Sequence, residues 1–327
     1  MIFFLLFFFN SQLIPLSPQL NILGVDFVNL VSDSETDIYL NPANLFFWNK
    51  KFFFSFFSYH DYLSLDTGLP VSFQSLLSIK GNKKDFIFNI SYHYLLSYRK
   101  TKEKTVFLDY LNLPISFNYN LEEIKIGLGV SYQEFYLEKS TIHQNFIEKK
   151  RYLPIKLGFS KGEEERFEWV TQFISFENSF CNYQINLIAK KVIGEIDKHI
   201  FLLDVDYRKE NNLKSWEFLG GYCLSSYYNF YGFILNNFFA MKPLLFLKKE
   251  VTIKIIFPYG LIGSFGKIKF LFGLKNGLIW EKENICFTNY EYNFGLNYRF
   301  SNNFEFYFLN LLVNSSRRWF FGFKFSF

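Results

Sequence analysis

The feature that most limits what this chain can become is an alternation of apolar and polar residues with period two, sustained over stretches of about ten residues. In residues 124–132, Ile124, Ile126, Leu128, Val130 and Tyr132 take one set of positions, and Lys125, Gly127, Gly129 and Ser131 take the other. Phe88, Ile90, Tyr92 and Tyr94 alternate with Asn89, Ser91 and His93. Tyr290, Tyr292, Phe294, Leu296, Tyr298 and Phe300 separate in the same way from Glu291, Asn293, Gly295, Asn297 and Arg299. A helix would group its apolar residues every 3.6 positions, so these segments read as strands. The sorting reaches the end of the chain, where Trp319, Phe321, Phe323, Phe325 and Phe327 share a face opposite Gly322, Lys324 and Ser326.

A β-sandwich packs its apolar faces together, whereas a transmembrane barrel turns them to lipid and its polar faces to a lumen. Pattern alone does not separate the two. Strands of about ten residues rather than five or six, and aromatic residues gathered at strand ends, favour the barrel. Connections are expected to be long over 60–70, 99–112 and 137–150, and short over 81–84, 120–123 and 161–164. That is the alternation of external loops and periplasmic turns. The same logic puts 301–303 on the periplasmic side and 314–317 outside. No turns can be placed across 191–198 or 225–248.

Composition removes other classes. Half of the 327 residues are apolar, including 47 Phe and 22 Tyr. Interleaved charges hold the mean hydropathy to +0.04. No uncharged apolar run reaches about 18 residues, which argues against transmembrane helices. The net charge of +5 is spread along the chain without a basic stripe, which argues against a nucleic-acid partner. Cys181, Cys223 and Cys286 are too few and too far apart for a disulfide framework or a zinc site. No linker divides the chain, so its bulk, 49–327, reads as one barrel domain.

Ahead of it, residues 1–12 look like the apolar core and polar tail of an export segment, without the usual basic start or small-residue cleavage site. Residues 13–48 differ from both. They hold Gly24, an acidic stretch from Ser32 to Asp37, and Asn41-Pro42-Ala43-Asn44-Leu45. Asn41 suits a helix cap and Pro42 a first helical position, because Asn accepts from orphan amides and Pro has none to satisfy.

Two resemblances follow. The end of the chain is similar to the barrel-assembly signal of bacterial outer-membrane proteins, carried by Gly322, Phe325 and Phe327, with Phe320 where a polar residue is usual. The glycine-containing and acidic segments followed by Asn41-Pro42-Ala43 and Leu45 resemble the amino-terminal region of the FadL-type transport barrels (OMPP1/FadL/TodX), including the PorV and PorQ relatives. The resemblance implies an all-β transmembrane antiparallel barrel of about 14 strands, within a range of about 12 to 16, with 13–48 folded into the lumen as a hatch. It implies passive uptake of hydrophobic, fatty-acid-like molecules at the bacterial outer membrane, with no cofactor and no enzyme activity. The alternative it carries is a scaffold or carrier in type IX protein secretion. Outer-membrane lipid and the barrel-assembly machinery are the implied partners, with either a hydrophobic small molecule or secretion components besides.

Candidate chemistry is sparse. His60, His93, His143 and His199 are scattered, without metal-ligand spacing or a phosphate loop, so neither a metal nor a catalytic site is expected. Ser91 and His93 share a face but need a third group to act as nucleophile and base. Glu163, Glu164 and Glu165 read as a solvated surface turn, and Asp204, Asp206 and Arg208 as an ion-pair network in the lumen, with part of a passage as the alternative. No ligand-binding residue is singled out.

Overall fold

The computed structural model describes residues 20, 23, 27–31, 33–61, 71–83, 85–100, 104–141, 145–163, 165–176, 179–210, 213–247, 251–281, 284–288, 291–313 and 316–327. The export segment 1–12, Gly24, Ser32, the 62–70 connection, His143 and Glu164 lie outside them.

The strands are β1 (Phe52–Asp61), β2 (Val71–Lys83), β3 (Phe86–Lys100), β4 (Lys104–Leu121), β5 (Ile124–Thr141) and β6 (Asn145–Lys161). They continue with β7 (Arg166–Phe176), β8 (Ser179–Ile193), β9 (Lys198–Glu210), β10 (Leu213–Phe230), β11 (Phe233–Leu247) and β12 (Val251–Phe265). The last are β13 (Ile268–Glu281), β14 (Asn284–Phe287), β15 (Glu291–Arg299), β16 (Phe304–Val313) and β17 (Ser316–Ser326). Each lies antiparallel to its neighbour, and β1 pairs with both β2 and β17, closing the sheet on itself. β14 and β15 pair with successive lengths of β13, through Leu278↔Phe287 and Ile268↔Tyr298 among others, so they share one place in the wall. The barrel therefore has sixteen strand positions, which corrects the expected fourteen. The additional strands come from the region where no turns could be placed. There β10 and β11 are joined by Tyr231 and Gly232, with φ of 49° and 86°. Two left-handed residues make the tight hairpin geometry, but Tyr replaces the Asn or Asp that announces it in sequence.

The polarity is inside out. Phe88, Ile90, Leu128 and Phe294 are exposed, while Asn89, Ser91, Lys125, Gly129 and Asn297 on the alternate positions are buried. Among the described residues no helix is long and apolar enough to cross a membrane. This face would be unfavourable in water and is what hydrocarbon requires.

Two expected long loops are absent. Residues 99–100, 104–112, 137–141 and 145–150 belong to β3, β4, β5 and β6. These strands reach 15 to 18 residues, against the roughly 9–11 needed to span a bilayer. Beyond Tyr132 the outward side chains of β5 and β6 become Glu134, Glu138, Lys149 and Arg151, with Lys149 paired to Glu134 at 2.6 Å. The wall continues past its apolar band. Near the short turns expected at 81–84, 120–123, 161–164 and 301–303, β2 ends at Lys83, β4 at Leu121, β6 at Lys161 and β15 at Arg299, each within a few residues of the next strand.

The lumen is packed rather than uniformly polar. Leu20, Leu23, Phe27, Leu30 and Val31 sit against inward residues of β7 to β13 and β16, including Val170, Ile188, Leu202, Phe238, Ile262 and Leu309. Burial of this apolar surface, at roughly 25 cal/mol per Å², seats the first part of the inner segment.

Candidate functional site

The second part, Asp33 to Trp48, crosses the lumen as two short helices. Asp33 stands in extended geometry, and its carboxylate accepts from Glu35 N at 3.0 Å and Thr36 N at 3.2 Å. Asp37 returns the bond, its carboxylate accepting from Asp33 N at 3.1 Å. These exchanges start helix α1 (Ser34–Leu40), which the acidic composition alone did not reveal. Asn41 ends it, donating its backbone N–H to Asp37 O at 2.9 Å. The same residue caps the 3-10 helix Pro42–Phe47, its side-chain oxygen accepting from Ala43 N at 3.0 Å. Pro42 occupies the first position as expected. Leu45 is fully buried with Ile38, Tyr39, Trp48, Phe53 and Ile87.

The wall holds this segment by its polar groups. Asn118 on β4 donates to Pro42 O at 3.0 Å and to Ala43 O at 2.5 Å. Lys156 on β6 donates to Tyr39 O at 2.5 Å, and Tyr39 OH meets Ser91 Oγ on β3 at 3.1 Å. On the far side Lys324 of β17 pairs with Glu35, and Lys80 of β2 donates to Trp48 O. The densest contact is Glu168 on β7, which accepts from Asn44 Nδ2 at 2.8 Å and Asn41 Nδ2 at 3.3 Å. Arg166 at 2.6 Å and Lys190 at 3.7 Å balance its charge. The Arg166 guanidinium and the Lys125 ammonium also lie over the Phe47 ring, at 4.8 and 4.1 Å.

Two glycines let the Asn41–Ala43 backbone approach. A Cβ on Gly158 would lie 2.0 Å from Asn41 Oδ1, and one on Gly127 would lie 2.3 Å from Ala43 N. Burial pushes the Asp37 carboxyl up to about 7, against the pull of Lys190, and burial likewise raises the Tyr39 phenol to about 12.

Next to Tyr39 lies a recess of about 40 Å³, lined by Ile38, Pro42, Asn112, Pro114, Lys156 and Gln172 among others. Two residues further along β4 and β5, on the same inward face, Tyr110 and Phe135 belong to an apolar cluster with Leu108 and Leu137. Ser91 and His93 do not form a nucleophile–base pair. Ser91 Oγ lies 2.8 Å from Ser78 Oγ and accepts from Asn89 Nδ2 at 2.7 Å. The His93 ring meets Tyr110 edge-on, and neither of its nitrogens has a hydrogen-bond partner among the described residues. Asp204 and Asp206 accept from Asn186 and Gln184, both at 2.5 Å, and Arg208 pairs with Glu210 at 2.7 Å. Glu163 and Glu165 lie in an exposed turn, as expected.

Gly322, Phe325 and Phe327 lie at the seam, where Phe327 O accepts from Lys51 N at 2.6 Å and Phe327 N donates to Phe52 O at 3.0 Å.

No family model and no curated protein matches the chain. Solved structures do. A bacterial polysaccharide outer membrane secretin aligns with a TM-score of 0.52 at 8% identity, over 86% of this chain and 99% of the other. CdiB from Acinetobacter baumannii aligns with a TM-score of 0.53 at 11% identity, over 85% of this chain, which spans 60% of CdiB. The toluene transporter TodX of Pseudomonas putida covers 93% of this chain and 94% of its own at 12% identity, with a TM-score of 0.43. The fold is that of a membrane β-barrel.

The residues that sequence reasoning missed are those of the wall: Glu168, Asn118, Lys156, Gly127 and Gly158. The glycines left a trace, since Gly within a strand marks a place where another backbone comes close. Glu168, on the polar face of an ordinary strand, left none.

Proposed function

We propose that the chain is an outer-membrane channel for hydrophobic, fatty-acid-like small molecules, with residues 13–48 acting as the hatch that closes it. The observation that carries this reading is how Asn41 to Asn44 is held. Side chains of β4 and β7 hold these residues across the lumen, and Lys156 of β6 holds the neighbouring Tyr39 O, while the apolar contacts are made by the flanking Ile38, Tyr39 and Leu45. When water replaces both partners of such a contact the net cost is small, about 0.5–1.5 kcal/mol for an ordinary hydrogen bond, so an opening that admits water can release the closure without unfolding the barrel. Asn41 and Pro42 set the shape of the hatch and Glu168 anchors it. The buried apolar cluster of Leu108, Tyr110, Phe135 and Leu137 on the same inward wall would give a hydrophobic molecule apolar surroundings once the hatch shifts. An outer-membrane location agrees with the apolar exterior and with the outer membrane secretin that shares the fold.

The test is mass spectrometry of organic extracts from the detergent-purified chain, beside a double variant Asn41→Ala, Pro42→Gly. A bound hydrophobe in the parent, depleted in the variant, supports uptake through a hatch-controlled site. An empty barrel of unchanged fold in both overturns uptake, and the carrier role in protein secretion, as in the PorV and PorQ barrels, then takes its place.

A further inference from the structure

At the end of the barrel where β9 gives way to β10, the outward face sets two lysines against each other. Lys209 and Lys214 are direct cross-strand partners, one partly and one fully exposed. Like charges placed opposite each other on one face repel. The wall supplies nothing to offset them. Asp204, Asp206 and Glu217 take the alternate, inward positions, and Glu210 is held by Arg208 at 2.7 Å. Among the described residues neither lysine forms an ion pair, so the place calls for an anion from outside the chain.

The neighbouring side chains indicate what carries that anion. Tyr183, opposite Lys209 on β8, has its ring 5.8 Å from the ammonium. In the next row towards the middle of the wall, the rings of Tyr207 and Trp216 lie 4.6 Å apart, flanked by Tyr183 and Phe218, each at 6.0 Å. Beyond them the outward face of β9 is apolar, with Leu203 and Phe201 exposed. A row of aromatic rings above an apolar band marks the level of lipid head groups. The lysines therefore stand where the head of a lipid lies when its chains run along Leu203 and Phe201.

We infer that Lys209 and Lys214 together bind the phosphate of an anionic lipid on the outside of the barrel. A phosphate between them replaces their repulsion with charge-assisted hydrogen bonds. In a zwitterionic head the lipid's own cation already offsets that charge. The inference needs a wall that faces lipid and does not depend on the uptake reading.

The experiment is native mass spectrometry of the full chain in detergent with equal amounts of phosphatidylglycerol and phosphatidylcholine of the same chains. The parent is expected to retain phosphatidylglycerol about tenfold over phosphatidylcholine. Inorganic phosphate at the same concentration should not displace it. The double variant Lys209→Gln, Lys214→Gln is expected to bring the two lipids to equal retention. Lys191→Gln removes a charge from the outward face at the other end of β8, where Phe167 and Phe201 stand opposite, and should leave the preference as it was. An unheated gel shows that each variant keeps the folded position. No preference in the parent, a preference that survives the double substitution, or an equal loss in Lys191→Gln overturns the inference. Displacement by inorganic phosphate would mean that the lysines hold a free anion, and overturns the assignment to lipid.

Discussion

Glu168 brings together in one carboxylate the two amides of the Asn41–Asn44 motif and the charges of Arg166 and Lys190. Removing one partner from a buried charged cluster costs about 3–5 kcal/mol, because the opposite charges stay buried without it. Glu168→Ala is therefore expected to lower amide-exchange protection across Pro42–Phe47 by about a hundredfold, the equivalent of about 3 kcal/mol. Glu168→Gln keeps an acceptor for Asn44 and is expected to fall between. Equal protection in all three proteins would mean that β7 does not hold the segment. Asp37 adds a dependence on pH. Its carboxyl is raised from 3.8 to about 7 by burial, with Lys190 and Arg166 opposing and Glu168 and Asp33 reinforcing. The docked segment therefore binds the proton more tightly than the undocked one. This contribution to docking is fully present below about pH 4 and is lost as pH rises from about 4 to about 7. Exchange at the α1 amides, corrected for intrinsic rate, is expected to be more protected at pH 5 than at pH 8, and Asp37→Asn should flatten the difference. Asn41 and Pro42 were legible in the sequence because capping is local chemistry. Glu168 was not, because the amides it holds, Asn41 and Asn44, lie more than a hundred residues away.

The strands show where the alternation can be read and where it fades. Within the apolar band each side chain meets either hydrocarbon or a packed interior, and residues 86–94, 124–132 and 291–299 sort cleanly. Past Tyr132 both faces carry charge, as with Glu134 outside and Lys139 inside, and period two loses its contrast. That stretch, with Pro114 and Pro154 nearby, reads as loop although it is strand. The two prolines leave their mark on the ladders. Pairing passes from Ile90↔Ile115 to His93↔Asn112 beside Pro114, and from Val130↔Ile155 to Gln133↔Tyr152 beside Pro154. At the same level of organisation, Gly127 and Gly158 make β5 and β6 a seat for Asn41 to Ala43. A Cβ on Gly158 would lie 2.0 Å from Asn41 Oδ1 and 3.0 Å from Pro42 Cδ. Gly158→Val is expected to displace the segment, at a cost of about 1–3 kcal/mol from overpacking, while the barrel still forms. In planar bilayers it should pass more current than the parent. A silent variant with unchanged protection at Pro42–Phe47 would show that the segment does not rest on this seat.

At the scale of the whole molecule, closure joins the first strand to the last, and everything inside depends on it. Phe53↔Ser326 through Asp61↔Arg318 make the seam, and Phe327 adds backbone bonds to Lys51 and Phe52 beyond the end of β17. Outside, Phe323 stacks on Phe56 at 5.5 Å, and Phe325 meets Phe327 edge-on at 4.5 Å. Inside, Lys324 reaches Glu35 and lies 5.3 Å from the Phe53 ring, so the strand that closes the wall also holds the lumen segment. An open sheet would leave β1 with unpaired N–H and C=O groups in hydrocarbon, where nothing else satisfies them. Truncation after Lys324 removes Phe325, Ser326 and Phe327, and with them the last rungs of the seam and the residues resembling the assembly signal. The parent is expected to migrate on a denaturing gel at two positions, folded when unheated and unfolded when boiled. The truncated chain is expected to show only the unfolded position when expressed in cells. Refolding from urea into detergent separates the two roles of this end. If the truncated chain then regains the folded position, the missing residues serve recognition during assembly; if it does not, they are needed for closure itself. A truncated chain that folds in cells as the parent does would remove both.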